Sequence, residues 1–291
     1  MAVPARFIKT AILLLSLVLL RPAPAPAAGI FRVASYNVEN LFDLALDGTE
    51  YPEYVPNGRF GWTRQTAALK YAHIARVIRD LSADVVALQE VESRRALTAL
   101  QGRLKAMGAD YPYLAITRTG NAPVRCALLS RFPVVTEEDV PVARPLARPI
   151  LRVTLDVDGA RLVLFVNHWK SKHGPESMRI ACARALRKAV DRLKPDADIV
   201  LTGDFNSDYN EYITFRKNGG LNDTGGITGI NHILGTVRGA RLVDEKTLVR
   251  QVSNRYFYNL WLEIEEKRRW SYNFFGKKGS PDNMIVSQGL Y

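Results

Sequence analysis

The 291-residue chain has only two cysteines, Cys126 and Cys182, and neither sits in a CxxC-type spacing. That excludes a disulfide-stapled scaffold and a cysteine-based metal site. Cys126 lies in a predicted strand and Cys182 in a predicted helix, which leaves a single disulfide and two buried free thiols both open. There is no internal repeat, no low-complexity tract and no Gly/Ser-rich linker in the interior, so one domain is the simplest reading. The apolar run Ala11–Leu20 falls short of the roughly 20 residues that span a bilayer.

That run has another use. Arg6 and Lys9 precede it, and "RPAPAPAAG" follows with small residues at Ala25 and Ala27. This is the pattern of a secretory signal peptide, so residues 1–28 are expected to be removed on export to the periplasm or medium. The mature domain is then 29–291, with no stable membrane span. The leader holds Arg6, Lys9 and Arg21 and no acid, which leaves +8 of the formal +11 charge on the mature part. A surface this basic suits a polyanionic partner.

With hydrophobic residues at 47% the chain can bury a large core. "FRVASYNV" alternates as a strand, and a long aromatic-studded loop follows it. Over Arg64–Leu81 the residues Leu69, Ala72, Ala75, Ile78 and Leu81 predict one helical face. "DVVALQEV" predicts a buried strand, and a helix is expected from about Arg94 to Met107. Short apolar runs then predict strands, with a hairpin turn at Asp158-Gly159. A helix over Glu176–Leu193 is expected to bury Met178, Cys182, Ala185, Ala189 and Leu193 and to carry Arg179, Arg184, Arg187, Lys188 and Arg192 mostly off that face. "DIVLTGDF", "RYFYNLWLEI", "RRWSYNFFG" and "PDNMIVSQ" complete the strands. The order predicts sheets packed together with helices outside.

Four apolar strands end in polar groups. "SYNVEN" delivers Asn37 and Glu39, "VVALQEV" delivers Glu90, "VLFVNHWKSK" delivers Asn167 and His168, and "VLTGDFNSD" delivers Asp204 and Asn206. Singly, each has a structural reading as a cap, a turn residue or a satisfied core histidine. Jointly, carboxylates this close repel unless a cation neutralises them. An oxygen-rich set selects a hard ion such as Mg²⁺, Mn²⁺ or Ca²⁺. A hard ion beside a carboxylate base and neutral donors suits hydrolysis of a phosphate ester.

The ordered motifs "SYNVENLFD", "ALQEVE", "ALLSRFPV", "VNHWKSK" and "TGDFNSD" resemble the signatures of the endonuclease/exonuclease/phosphatase superfamily, over nearly the whole mature chain. The resemblance implies an α/β (α+β) four-layer α/β/β/α sandwich of two packed mixed sheets, with the site at one rim. It implies Glu90 as the main Mg²⁺ ligand, with Asn37 beside it and Glu39 at a position often acidic. His168 matches a phosphate-stabilising histidine, Asp204 the residue that orients or deprotonates water, and Asn206 a transition-state amide. Asp282 in "PDNMIVS" matches an aspartate that orients a second histidine.

That histidine belongs to a Ser-Asp-His motif on a final strand, and none follows Asp282, where Asn283 also replaces a common histidine. A shortened chain and a member without catalysis both fit. The intact upstream motifs favour the former, with reduced activity and solubility expected of it. The superfamily leaves the phosphodiester open. Arg125, Lys170 and Lys172 are candidate phosphate contacts, and Trp62, Trp169 and Tyr54 candidate base-stacking residues. The expectation is a monomeric, Mg²⁺-dependent endonuclease acting on DNA and also on RNA. The alternatives are a lipid-headgroup phosphodiesterase and an inactive nucleic-acid binder.

Overall fold

In the computed structural model, the described residues are 30–291 apart from 121, 144–146, 217 and 252–254. The expected leader and its cleavage point lie outside them.

Two mixed sheets pack face to face. The first has the order β1-β2-β4-β3, from Val33–Leu41, Val85–Val91, Arg125–Ser130 and Tyr113–Ile116 respectively. β1 and β2 are parallel. The second sheet contains β5 (Val134–Val140), β6 (Ile150–Val157), β7 (Ala160–His168) and β8 (Asp198–Asp204). After a small ribbon of β9 (Val237–Arg238) and β10 (Arg241–Leu242), β11 (Tyr258–Asn259) joins this sheet. Its order is β11-β14-β8-β7-β6-β5, where β14 is Asp282–Val286. β7 and β8 run parallel, and β14 runs antiparallel to β8.

Strand alternation sorts side chains into three cores. Val85, Ala87, Cys126, Leu128, Leu164, Val166 and Val200 fill the space between the sheets. Val86, Leu88 and Leu129 face outward, under α1 (Arg64–Leu81) and α2 (Arg94–Ala106). Phe165, Ile199 and Leu201 face the other way, under α3 (Glu176–Val190). The four-layer α/β/β/α arrangement is therefore as the sequence predicts.

Some details differ. α1 has its expected bounds but buries Ala67, Ile74, Ala75 and Ile78, while Leu69 and Leu81 are exposed. Steps of three residues drift around a helix of 3.6 per turn, so a run at that spacing leaves the core face at its ends. Arg179 is not on an outer face. It is fully buried, with Nε donating to Glu176 Oε2 at 2.7 Å and Nη1 to the carbonyls of Lys170, Ser171 and Gly174. "RYFYNLWLEI" forms strand only at Tyr258–Asn259, because Asn259 Oδ1 accepts the Trp261 N–H and turns the chain into a 3₁₀ segment. "RRWSYNFFG" contributes to neither large sheet. It forms a separate hairpin of β12 (Tyr272–Phe274) and β13 (Lys277–Gly279).

Both cysteines are free and buried. Cys126 lies between the sheets and Cys182 on the buried face of α3, so the six-stranded sheet separates them. Burial pushes the Cys126 thiol up to about 12 and the Cys182 thiol up to about 11. We predict that a thiol reagent labels neither cysteine in the native protein and both after denaturation. A reductant should leave the melting temperature unchanged, and a drop on reduction would reveal a disulfide.

Candidate active site

The face on which each strand-end residue falls follows from strand parity. On β7, Leu162, Leu164 and Val166 face the gap between the sheets, and His168 continues that series. On β8, Val200 faces the gap, and Asp204 lies at the same parity. On β1, Val33 does so and Asn37 follows. Asp282 opens β14 and pairs in register with Asp204.

Glu90 reaches the rim by another route. The pairing of β2 jumps from Gln89–Cys126 to Val91–Arg125, so Glu90 is an extra residue. Opposite β1 the register shifts as well, but there the extra residues are on β1, where Asn37 pairs with Gln89 and Leu41 with Val91. Val86, Leu88 and Val91 all face the helices, so the bulge reverses the alternation. Glu90 takes a left-handed φ of +67°, and Glu39, Asn40 and Asn206 are also left-handed at +51°, +68° and +48°. Such conformations cost about 1–3 kcal/mol each in non-glycine residues, so the surrounding structure must enforce them.

Gly203 is required by close approach. It has a φ of +125°, and a Cβ there would lie 2.1 Å from the Asn167 carbonyl oxygen on β7. Asn167 itself is structural. Its Nδ2 donates to the carbonyls of Phe165 and Thr202, and its Oδ1 accepts the Trp169 indole N–H.

These elements bring Asn37, Glu90, His168, Asp204, Asn206 and Asp282 together. Asn37 Nδ2 donates to Glu90 Oε1 at 3.1 Å and to Asp204 Oδ2 at 3.2 Å. His168 Nε2 stands 3.6 Å from Glu90 Oε1 and 3.8 Å from Asp204 Oδ2. Asp204 Oδ1 accepts the Asn206 N–H at 2.8 Å, and Asn206 Nδ2 donates to the Trp169 carbonyl. Asp282 Oδ2 accepts the Ser271 hydroxyl at 2.7 Å.

The electrostatics follow from burial. Desolvation pushes Asp204 up to about 7, helped by the Asp282 and Glu90 charges and opposed by the bonds from Asn206 and Asn37. Burial and the Arg148 charge drive His168 well below the usual histidine range, so its imidazole is neutral. Its Nδ1 is buried with no hydrogen-bond partner among the described residues.

Several expected contacts lie elsewhere. Glu39 is exposed; its N–H donates to Asn37 Oδ1 and its carbonyl accepts from Lys70 Nζ, so its backbone, not its carboxylate, is tied to the site. Arg125 donates to the carbonyls of Glu92, Thr117 and Thr119. Lys172 Nζ is 2.8 Å from both Asp208 and Glu211. Lys170 is exposed. Trp62 and Trp169 are buried in packing, and Tyr54 stacks on Phe42.

Two cations at the site escaped the sequence reading. Lys70 on α1 feels the Glu39 and Glu90 charges, and no sequence signal marks it. Arg148 is close enough to act on His168, and its Nε is buried without a partner among the described residues. The β6–β7 hairpin register, continued past Leu151–Val166, sets Pro149 opposite His168, so the hairpin turn carried the signal for Arg148.

A family model described as "Endonuclease/Exonuclease/phosphatase family" matches residues 32–223. The chain belongs to that family. Its members hydrolyse phosphoester bonds and are generally dependent on a divalent metal. Among solved structures, ANGEL2, described as a 2',3'-cyclic phosphatase, is 18% identical with a TM-score of 0.58, over 88% of this chain and 82% of that one. TDP2 from C. elegans is 16% identical with a TM-score of 0.53, over 88% of this chain but only 64% of that one. A family protein from Bacteroides thetaiotaomicron is 16% identical at 0.52, over 88% and 83%. At these identities the likeness concerns the fold alone. No curated protein matches in sequence. Among the described residues, no helix is long and apolar enough to cross a membrane.

The donor set fits a hard divalent ion. Glu90 and Asp204 supply carboxylate oxygens, no thiol is among them, and the Glu90 side chain is 19% exposed and so reachable, while Asn37 turns its Nδ2 to both carboxylates and its Oδ1 to the Glu39 N–H and so orients them.

The Asp204 environment sets a testable sign. Its folded pKa of about 7 exceeds the unfolded value of 3.8. The metal-free fold therefore holds this proton more tightly than the unfolded chain, and stability falls as pH rises from about 4 to about 7. Asp204→Asn should melt higher than the metal-free wild type at pH 8, by on the order of 4 kcal/mol, with the gap closing near pH 4. Melting curves at both pH values check this, and a pH-independent gap would contradict it.

Proposed function

We propose that this protein is an exported, Mg²⁺-dependent phosphodiesterase that cleaves nucleic acid, with DNA as the main substrate and RNA also accepted. One observation carries the reading: the buried Asp204 carboxylate is held between Asn37, Asn206, His168 and Glu90 at the open end of the sheet gap. Glu90 would hold the metal, its carboxylate oriented by the Asn37 amide, and the metal would supply neutralisation of phosphoryl charge.

The chain's own residues account for the remaining steps. With a proton affinity near neutrality, Asp204 is suited to take a proton from the attacking water. The Asn206 N–H fixes that carboxylate, leaving the oxygen on Asn37 to face the site. His168 is neutral, so it donates a hydrogen bond to a non-bridging phosphate oxygen without adding charge. Arg148 supplies the fixed positive charge behind it.

Nucleic acid is favoured by the net charge of +8 on residues 29–291 and by the β12–β13 hairpin. Ser271 at its base bonds Asp282, and it exposes Tyr272, Phe274 and Phe275 beside Lys277 and Lys278. Exposed aromatic rings next to lysines suit bases and phosphates of a single strand or duplex end. Phe275 at the turn, 91% exposed, equally supports a second reading, a lipid-headgroup phosphodiesterase that docks on a bilayer. Nothing in either reading requires a second protomer, and we propose a monomer. Export rests on the basic, apolar and small-residue pattern of residues 6–27.

Plasmid nicking with Mg²⁺ and with EDTA tests the main reading. Asp204→Ala and His168→Ala should each lower the rate by roughly a hundredfold or more, as removal of one transition-state donor or base does. Arg148→Ala should lower it less, by about tenfold. Phosphocholine release from sphingomyelin vesicles with no nicking would instead establish the lipid reading. A mobility shift with neither reaction would establish a binder.

A further inference from the structure

Outside the candidate active site, a second group of acids lies where β1 and β2 give way to loops. Asp47, Glu50 and Glu92 each place an oxygen within 4.8 Å of the others. Asp43 adjoins them. Its N–H donates to Glu92 Oε2 at 2.8 Å, and its carboxylate accepts from Ser93 and Arg95. Arg95 also reaches Asp47 at 2.9 Å. The nearby arginines are otherwise engaged. Arg94 and Arg118 pair with Glu137, and Arg125 donates to backbone carbonyls. Among the described residues Arg95 is the one arginine paired with these acids, and it pairs with Asp43 and Asp47, while Glu50 accepts the Asp47 and Gly48 N–H groups.

A second feature points to what is needed there. Glu92 is only 4% exposed, and its Oε1 is buried with no hydrogen-bond partner among the described residues. Buried carboxylate oxygens are ordinarily satisfied by a donor or a cation, because leaving one bare forfeits its hydration. The adjoining groove, about 370 Å³ and lined in part by Asp47, Glu92 and Ser93, is open to solvent and runs beside these acids.

We propose that Asp47, Glu50 and Glu92 form a second divalent-cation site, selective for Ca²⁺ over Mg²⁺, which ties the 43–50 loop to the end of β2. The selectivity follows from the donors. All are carboxylates, and two sit on an irregular loop. Ca–O distances of about 2.4 Å with variable coordination can bridge oxygens so spread, whereas Mg²⁺ demands a tight octahedron at about 2.1 Å. The same loop leads into the packed rings of Phe42, Tyr51, Tyr54 and Trp62, and Tyr54 faces the charges of Glu39 and Glu90. The ion would hold one wall of the active site without taking part in the reaction.

The full chain carrying Glu90→Gln, which disables the first metal position, is the protein to test. Calorimetric titration with Ca²⁺ alone should give saturable binding of one ion, at least tenfold tighter than Mg²⁺, and Ca²⁺ should raise the melting temperature. Adding Asp47→Asn or Glu50→Gln, both on the loop and not in the core, should weaken Ca²⁺ at least tenfold and abolish the melting shift, with circular dichroism confirming that each variant folds. Absence of saturable Ca²⁺ binding in the Glu90→Gln protein would overturn the site, as would binding that survives both loop substitutions. Equal or tighter binding of Mg²⁺ would overturn the selectivity. Because the readouts are binding and melting, loss of this site and failure of the phosphodiesterase reading are distinguishable.

Discussion

A carboxylate kept out of water is the constraint around which this molecule is arranged. Asp204 sits at the rim of two packed sheets, with two further carboxylates, Glu90 and Asp282, close enough to raise its proton affinity. Such a group is tolerable only where amide donors surround it and the remaining charge can be taken up by a proton or a cation. Asn37 and the Asn206 N–H supply the donors. Because Asn37 comes from the four-stranded sheet and Asp204 from the six-stranded one, the bond between them also spans the two halves of the sandwich.

The backbone shows how firmly that arrangement is imposed. Glu90 is an inserted residue in β2 with a left-handed φ, and Asn206 takes a left-handed φ just past β8. β7 approaches β8 so closely at Asn167 that only a glycine fits at 203. The apolar packing between the sheets, from Val85 on one side to Val200 on the other, holds these strained segments in register. Strain of this kind fixes side-chain direction before any ligand arrives, which is what preorganised electrostatic catalysis needs. Around α3, the fully buried Glu176–Arg179 pair does related work, since Arg179 gathers the carbonyls of the loop after β7 and Glu176 accepts the Gly229 N–H.

Much of this was legible in the residues themselves. Alternation and apolar runs located α1, α2, α3 and the strands from β1 to β8, and the polar strand ends named the cluster that the fold assembles. The reading weakened where local pattern and tertiary context disagree. The hydrophobic "RYFYNLWLEI" looks like a long strand, yet Asn259 caps a turn in its middle. Arg179 looks like a surface charge, but Glu176 and three carbonyls hold its Nε and Nη1 inside the protein. Lys172 and Arg125 look like phosphate contacts, but Asp208, Glu211 and backbone carbonyls hold them, through partners distant in sequence.

The sequence by itself determined which side chains end the strands, because apolar runs and ordered motifs are local properties, whereas the bulge that turns Glu90 to the rim is set by strand pairing. It also determined the family, through motifs whose order survives without any coordinates. Only the tertiary structure decided that Asn37 bridges Glu90 and Asp204, that Arg148 stands behind His168, that the two cysteines lie on opposite faces of a sheet, and that Glu92 is buried with one oxygen unpartnered among the described residues. Each of these depends on distances between residues tens to hundreds of positions apart, which are set by how two sheets pack and not by any pattern along the chain.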